Sequence, residues 1–256
     1  MKRLQDKVAL ITGGSAGIGK VTAKRFLEEG ASVMLVDIDQ QGLDDTRNEF
    51  GAGDRLRTAR ADVSQEEDVQ RYVQDTMDAF GRIDVFFNNA GIEGKVAPLE
   101  QQDIAMFDRV IAVNVRGAYL GLKHVLPHMY KAGAGSVINN SSVAGLRGSA
   151  GVLPYVTSKH ALSGMTKVAA LEAAAHNVRV NSVHPSPVNT RMMRSLEAGF
   201  APDDADGAKA MLEHAIPLGR YGESEDIANL VVFLASDESA FITGAQYRID
   251  GGMGAG

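Results

Sequence analysis

Tyr155 and Lys159 stand four residues apart in the run Tyr155-Val156-Thr157-Ser158-Lys159, a spacing that puts both side chains on one face of a helix. A free phenol titrates near 10 and is a poor base at neutral pH. A neighbouring ammonium favours the phenolate and lowers that value. Such a pair could take a proton from an alcohol or return one to a carbonyl oxygen. The ordinary alternative is a half-buried core tyrosine and a lysine on a solvated helix face. The pair becomes acid and base only if the rest of the chain brings a redox group and a substrate oxygen beside it.

Thr12-Gly13-Gly14-Ser15-Ala16-Gly17-Ile18-Gly19 lies between an expected first strand and first helix. Glycine suits this place because the turn must be tight and the backbone must approach a pyrophosphate at a helix N-terminus. Most glycine clusters are plain turns, but strand, glycine turn and helix is the context that dinucleotide binding requires. No Gly-Lys-Ser/Thr follows, so the segment is not a P-loop. Asp37 ends the expected second strand, 18 residues after Gly19. A carboxylate there accepts hydrogen bonds from adenosine ribose hydroxyls and repels a 2′-phosphate. No Lys or Arg stands at Ser15 or Ala16 or directly after Asp37, where a 2′-phosphate would call for one. The expected cofactor is NAD, with an oxidised nicotinamide adding a second positive charge beside Tyr155.

The elements that must hold these residues are legible in outline. Apolar β-branched runs at Lys7–Thr12, Ser32–Asp37, Leu56–Val63, Ile83–Asn88, Ser136–Ser142, Arg179–His184 and Gln246–Ile249 read as strands. Helical patterns cover Gly17–Glu29, Gln41–Phe50, Gln65–Phe80, Asp103–Tyr130, Tyr155–His176 and Ser224–Ala235. Near-continuous apolar strands alternating with helices predict a parallel sheet covered on both faces. The fold class is therefore α/β: a single domain over 1–256, with a doubly wound, Rossmann-type, seven-stranded parallel sheet. The pattern loosens over 191–219, where Met192, Met193, Leu196, Phe200 and Met211 could form a flexible apolar lid over a substrate.

The ordered set of glycine turn, Asn88-Asn89-Ala90-Gly91, Asn114, Ser142, Tyr155 and Lys159 resembles the short-chain dehydrogenase/reductase family, in its single-domain branch. The resemblance runs from about Lys7 to Gly252. It implies an NAD-dependent oxidoreductase acting on a secondary alcohol or ketone. In that family's pattern Ser142 orients the substrate oxygen, and Asn114 holds a water that links Lys159 to solvent. Lys159 binds the nicotinamide ribose as well as tuning Tyr155. Gly13, Ser15, Gly17, Ile18 and Gly19 form the phosphate turn. Asp62 and Val63 resemble the pair that meets adenine, Asn89 the residue behind the ribose, and Val188 and Thr190 the contacts to the carboxamide. The stretch Asn89–Lys95 resembles relatives acting on cyclic ketones and alcohols. A sugar, a 3-oxoacyl thioester, or a nucleotide-sensing role without catalysis are the alternatives. A homotetramer is the family expectation. Two positions depart from the pattern: Ser186 replaces a glycine, and Asn140 replaces an apolar strand residue that, if buried, needs partners.

Other classes are weaker. Cysteine is absent and the net charge of −6 is spread along the chain without a basic block, which argues against disulfides, thiolate metal sites and nucleic acid. No apolar run approaches the roughly 20 residues that span a bilayer, and Met1–Asp6 lacks a signal-peptide core. A cytoplasmic location is the default. His124 and His128 have metal-like spacing, but no carboxylate is near in sequence and Pro127 is expected to disturb the helix, so they read as surface residues. Ser141 and Ser142 lack a nucleophile elbow. Asp250-Gly251-Gly252 reads as a turn at a subunit contact.

Overall fold

The first strand, β1 (Val8–Thr12), is buried at every position, the mark of a strand covered on both faces rather than one. The computed structural model describes residues 2–255; Met1 and Gly256 lie outside the described residues. After β1 come α1 (Gly17–Glu28), β2 (Ser32–Asp37), α2 (Gln40–Phe50), β3 (Leu56–Arg60), α3 (Glu66–Phe80) and β4 (Val85–Asn88). The second half runs α4 (Ile104–Ile111), α5 (Ala118–Ala132), β5 (Gly135–Asn140), α6 (Leu153–Ala174), β6 (Val178–Pro185), α7 (Arg191–Phe200), α8 (Ala205–His214), α9 (Ser224–Ala235) and β7 (Gln246–Ile249).

All seven strands are parallel, in the order β3-β2-β1-β4-β5-β6-β7. One face buries Phe26, Leu35, Phe87, Ile227 and Val231 under α1 and α9. The other buries Tyr72, Phe86, Val125, Met129 and Ala173 under α3, α5 and α6. Strand order reverses between β1 and β4. Connections leave to opposite faces there, which opens a crevice at the carboxyl ends of the strands, where ligands bind in such sheets.

Three local differences from the sequence expectation have clear causes. β3 stops at Arg60, short of Val63, because the Asp62 carboxylate accepts from the Ser64 amide (2.9 Å) and hydroxyl (2.7 Å) and turns the chain. β5 stops at Asn140 rather than Ser142, because the Ser142 hydroxyl accepts from the Ala144 amide and starts a 3₁₀ turn over Val143–Gly145. The long 103–130 helix is real but contains a π-helical turn, Ala112–Gly117, between α4 and α5. Pro127 does not break α5, which continues through it to Ala132.

Candidate active site

Gly13 takes a left-handed φ of +66°, and a Cβ there would press to 2.9 Å from the Ala90 backbone. At Gly19 a Cβ would collide with the Gly13 carbonyl. Glycine is thus required by geometry: the turn folds back on itself and on the end of β4. Gly19 packs behind the turn, whereas Gly13, Ser15, Gly17 and Ile18 face the cleft. Helix α1 begins without any side-chain cap, so its first N–H groups keep their donors for an incoming anion. Asp37 is held by the Ser15 amide (2.9 Å) and the Asp39 amide (3.1 Å). Those bonds aim the carboxylate at the rim of the turn and leave it further acceptor capacity, since an ionised carboxylate has about four lone-pair sites. A basic neighbour that the sequence did not reveal is Arg60, level with Asp37 in the β2–β3 register; its guanidinium is turned onto the Ile38 carbonyl.

The crevice is one continuous cleft of about 1010 Å³, at the top of the roughly 300–1,000 Å³ range of small-ligand sites. Gly13, Ser15, Gly17, Ile18, Asp37, Asp62, Val63, Asn89, Ser142, Tyr155, Lys159, Val188 and Thr190 all line it. The uncapped α1 terminus, the glycine turn and the poised Asp37 fit a dinucleotide with a free ribose 2′-hydroxyl.

The catalytic candidates sit on its wall at the ends of β5 and β6. Lys159 is buried, and its Nζ donates to the Asn140 carbonyl at 2.7 Å. Its ammonium lies 5.4 Å from the centre of the Tyr155 ring. Tyr155 is half-buried with part of its surface open to the cleft, and its hydroxyl meets the Ser142 hydroxyl. Burial pushes the phenol up to about 12; the Ser142 bond opposes this, and the nearby Glu93 charge adds to it. Burial also pushes Lys159 down to about 8. The expected lowering counted the oxidised nicotinamide together with the lysine; in the protein without cofactor, burial prevails. In a desolvated pair both groups resist charging, and the lysine's positive charge is partly lost to the same burial.

Asn114 does not line the cleft. It is fully buried; its Oδ1 accepts from the Ile92 amide (2.8 Å), and its Nδ2 donates to the Ile92 carbonyl (2.9 Å) and the Ser158 hydroxyl (2.9 Å). The side chain therefore splices the π turn between α4 and α5 to the β4 loop and to α6. Ser141 holds backbone, donating to the Lys159 carbonyl at 3.0 Å. Asn140 is buried and finds one partner. Asn89 donates to the Thr12 and Gly13 carbonyls, which fixes its Oδ1 as the acceptor of the Asn140 amide at 2.7 Å. The Asn140 Oδ1 has no partner. Ser186 lies in the cleft and keeps a negative φ, so replacing glycine there strains nothing; its amide continues the ladder to Ile249.

The substrate end is walled by Met192, Met193, Leu196 and Phe200 of α7 and Leu212 of α8, with Val152 and Arg109 opposite. Met211 is 72% exposed and faces away from the cleft, correcting its place in the expected lid. Met253 also lines the cleft, because the turn Gly251-Gly252 packs on Ile216 and Pro217 of the same chain. Nothing local in sequence signals that. His124 does meet a carboxylate, Glu66 of α3 at 2.9 Å, but Lys123 shares the same oxygen. No cluster of three or more metal-ligating side chains is found among the described residues.

Comparison with known proteins agrees with this layout. A family model described as enoyl-(acyl carrier protein) reductase matches residues 13–254. Levodione reductase of Leifsonia aquatica is 40% identical over 256 residues, 99% of this chain and 96% of that protein, and a crystal structure of a levodione reductase, 40% identical, superposes with a TM-score of 0.96, covering 99% of both chains. Cyclohexanol dehydrogenase of Acinetobacter sp. (strain SE19) is 36% identical, covering 97% of this chain and 95% of that protein. A crystal structure titled NAD⁺-bound xylitol dehydrogenase has a TM-score of 0.93 at 33% identity, covering 98% of this chain and all of that one.

Proposed function

We propose that this chain, which belongs to the short-chain dehydrogenase/reductase family, exchanges a hydride between NAD(H) and a cyclic or hydrophobic secondary alcohol or ketone. The observation that carries the reading is the meeting of Tyr155, Lys159 and Ser142 in the same cleft as the glycine turn and Asp37. The relatives named for cyclic alcohol and ketone chemistry and the apolar wall of α7 and α8 supply the substrate class.

Bound NAD supplies the hydride acceptor and, when oxidised, a positive charge beside the phenol. Gly13, Ser15, Gly17, Ile18 and the α1 terminus would hold its phosphates, with Gly19 keeping the turn tight. Asp37 would hold the adenosine ribose, Asp62 and Val63 the adenine, Asn89 and Lys159 the second ribose, and Val188 and Thr190 the carboxamide. Ser142 donates to the substrate oxygen. Tyr155 takes the proton from that oxygen in oxidation and returns it in reduction. Its high value in the bare protein is the reason a second positive charge matters: only added positive charge brings the phenolate within reach of neutral pH. Lys159 fixes the Asn140 carbonyl and the ribose side of the pair.

Residues 191–219 serve as the lid. The exposed apolar side chains Val168 and Leu171 of α6 and Phe241 before β7 supply surface for assembly, which we take to be a homotetramer in the cytoplasm. No helix is long and apolar enough to cross a membrane among the described residues.

The test is NADH absorbance with cyclohexanol, other cyclic secondary alcohols, a polyol and a 3-oxoacyl thioester. Wild type is expected to turn over a cyclic alcohol, and Tyr155→Phe to lose about 10²–10⁴-fold in kcat. Tyr155→Phe as active as wild type, or turnover of the thioester alone, overturns the reading. NADPH binding more tightly than NADH overturns the role given to Asp37.

A further inference from the structure

His184 of β6 is completely buried, carries a titratable ring, and has no part in the mechanism above. Its Nδ1 lies 2.8 Å from the Ser142 carbonyl and its Nε2 lies 2.8 Å from the Ser182 hydroxyl. A carbonyl can only accept, so Nδ1 must carry the hydrogen. In the neutral ring Nε2 is then an acceptor, and the Ser182 hydroxyl donates to it. Burial holds the ring's titration below its ordinary value; the bond to the Ser142 carbonyl pulls the other way, and the charges of Lys159 and His160 add to the lowering, so the neutral ring is favoured.

The location gives the contact its meaning. The β5–β6 register ends at Asn140 opposite Val183, and the last ladder bond runs from the Ser141 amide to the Val183 carbonyl. One residue later, Ser142 leaves the sheet; its carbonyl accepts from the Gly145 amide of the following 3₁₀ turn at 2.8 Å, and the histidine ring ties the same oxygen back to β6 where the ladder has ended. The Ser142 hydroxyl accepts from the Ala144 amide at 3.1 Å, meets the Tyr155 hydroxyl, and lies 3.4 Å from the Pro185 carbonyl. The long Pro185 contact is a weak hold on its proton, which stays available on the Tyr155 side of the cleft.

We propose that His184 is a positioning residue: its neutral Nδ1–H ring clamps the Ser142 main chain and so aims the Ser142 hydroxyl at the substrate oxygen. This rests on the reading of Ser142 given above. It makes a buried histidine, remote from substrate, a determinant of kcat rather than of cofactor binding.

Three measurements test it. Long-range ¹H–¹⁵N NMR of histidine-labelled wild type at pH 7 is expected to show a neutral Nδ1–H ring for His184. A protonated ring, or an Nε2–H ring, overturns the proposal without any activity assay. With cyclohexanol and NAD, His184→Phe is expected to lose about tenfold in kcat, the size of one active-site hydrogen bond. NADH affinity by fluorescence titration should stay within about twofold, whereas a purely structural role would lower both together. His184→Asn, whose amide nitrogen can stand where Nδ1 stood, is expected to recover most of kcat, and His184→Gln is not. That pair decides the matter if the phenylalanine variant does not fold, and equal kcat for the two overturns the clamp. Wild type without turnover on any alcohol sinks the functional reading, whereas turnover with His184→Phe at the wild-type kcat sinks this inference alone.

Discussion

The two walls of the cleft are built differently. The wall at the ends of β4, β5 and β6 is a polar lattice in which nearly every group holds another. Asn89 grips the glycine turn, Asn140 grips Asn89, Lys159 grips the Asn140 carbonyl, and His184 grips Ser142. The opposite wall, α7 and α8, is apolar toward the cleft and tied down by few contacts. Arg194 pairs with the buried Glu197 at 2.8 Å, and the Tyr221 ring lies under Arg194 and Lys209. Phe200 and Met211 stay exposed, and α8 carries one buried residue, Ala208. Hydrogen-bonded groups have a single good geometry, so the first wall can hold reacting atoms in place. Apolar side chains on a lightly anchored segment can reshape around different rings, which suits a wall that chooses among substrates.

That contrast predicts a split in kinetic effects. On the polar wall, Lys159→Met is expected to lower kcat by about 10²-fold or more and to weaken NADH binding. On the apolar wall, Phe200→Ala is expected to raise KM for cyclohexanol by about tenfold, the value of one lost hydrophobic contact, with kcat changed by no more than a few-fold. Steady-state kinetics on the two variants break the comparison if Phe200→Ala loses kcat as Lys159→Met does.

The smallest effect is a pH signature of the polar wall. Lys159 titrates at about 8 in the fold against 10.5 ordinarily. Between those values the unfolded chain holds a proton that the folded chain lacks, so stability rises with pH from about 8 toward 10.5. Tyr155 works the other way above 10: the folded phenol stays protonated to about 12 while the unfolded one ionises, and its contribution falls. Urea midpoints between pH 7 and 11 should therefore climb and then turn over, and Lys159→Met should remove the climb while leaving the fall. A climb that persists in Lys159→Met refutes the buried-lysine account.

Sequence order made the chemistry of the polar wall readable because its residues are tied to local rules. A glycine turn needs glycine at Gly13 and Gly19 for steric reasons that act within one strand–turn–helix unit. An i, i+4 pair shares a helix face wherever that helix lies. The alternation of apolar runs fixed the parallel sheet and its switch point. Less legible was what each polar group touches across the sheet. Asn114 reads as a site residue, yet its side chain is taken up by Ile92 and Ser158, far away in sequence. His184 carries no motif at all. Met253 reaches the cleft only because the last turn of the chain folds back onto Ile216 and Pro217.

The sequence by itself therefore determined the fold class and the glycine turn, which follow from short-range sterics and periodicity, and it put Tyr155 and Lys159 on one helix face; their proposed role as the proton-transfer pair came from the ordered motifs of the family resemblance. Tertiary structure alone decided how burial shifts that pair. Desolvation depends on everything packed around a group, and it raised Tyr155 and lowered Lys159, against the lowering of the phenol that the lysine and an oxidised nicotinamide together would bring. The same packing decided which of the apolar residues in 191–219 face the cleft, because the direction of a side chain on a lightly anchored helix is set by the wall it meets.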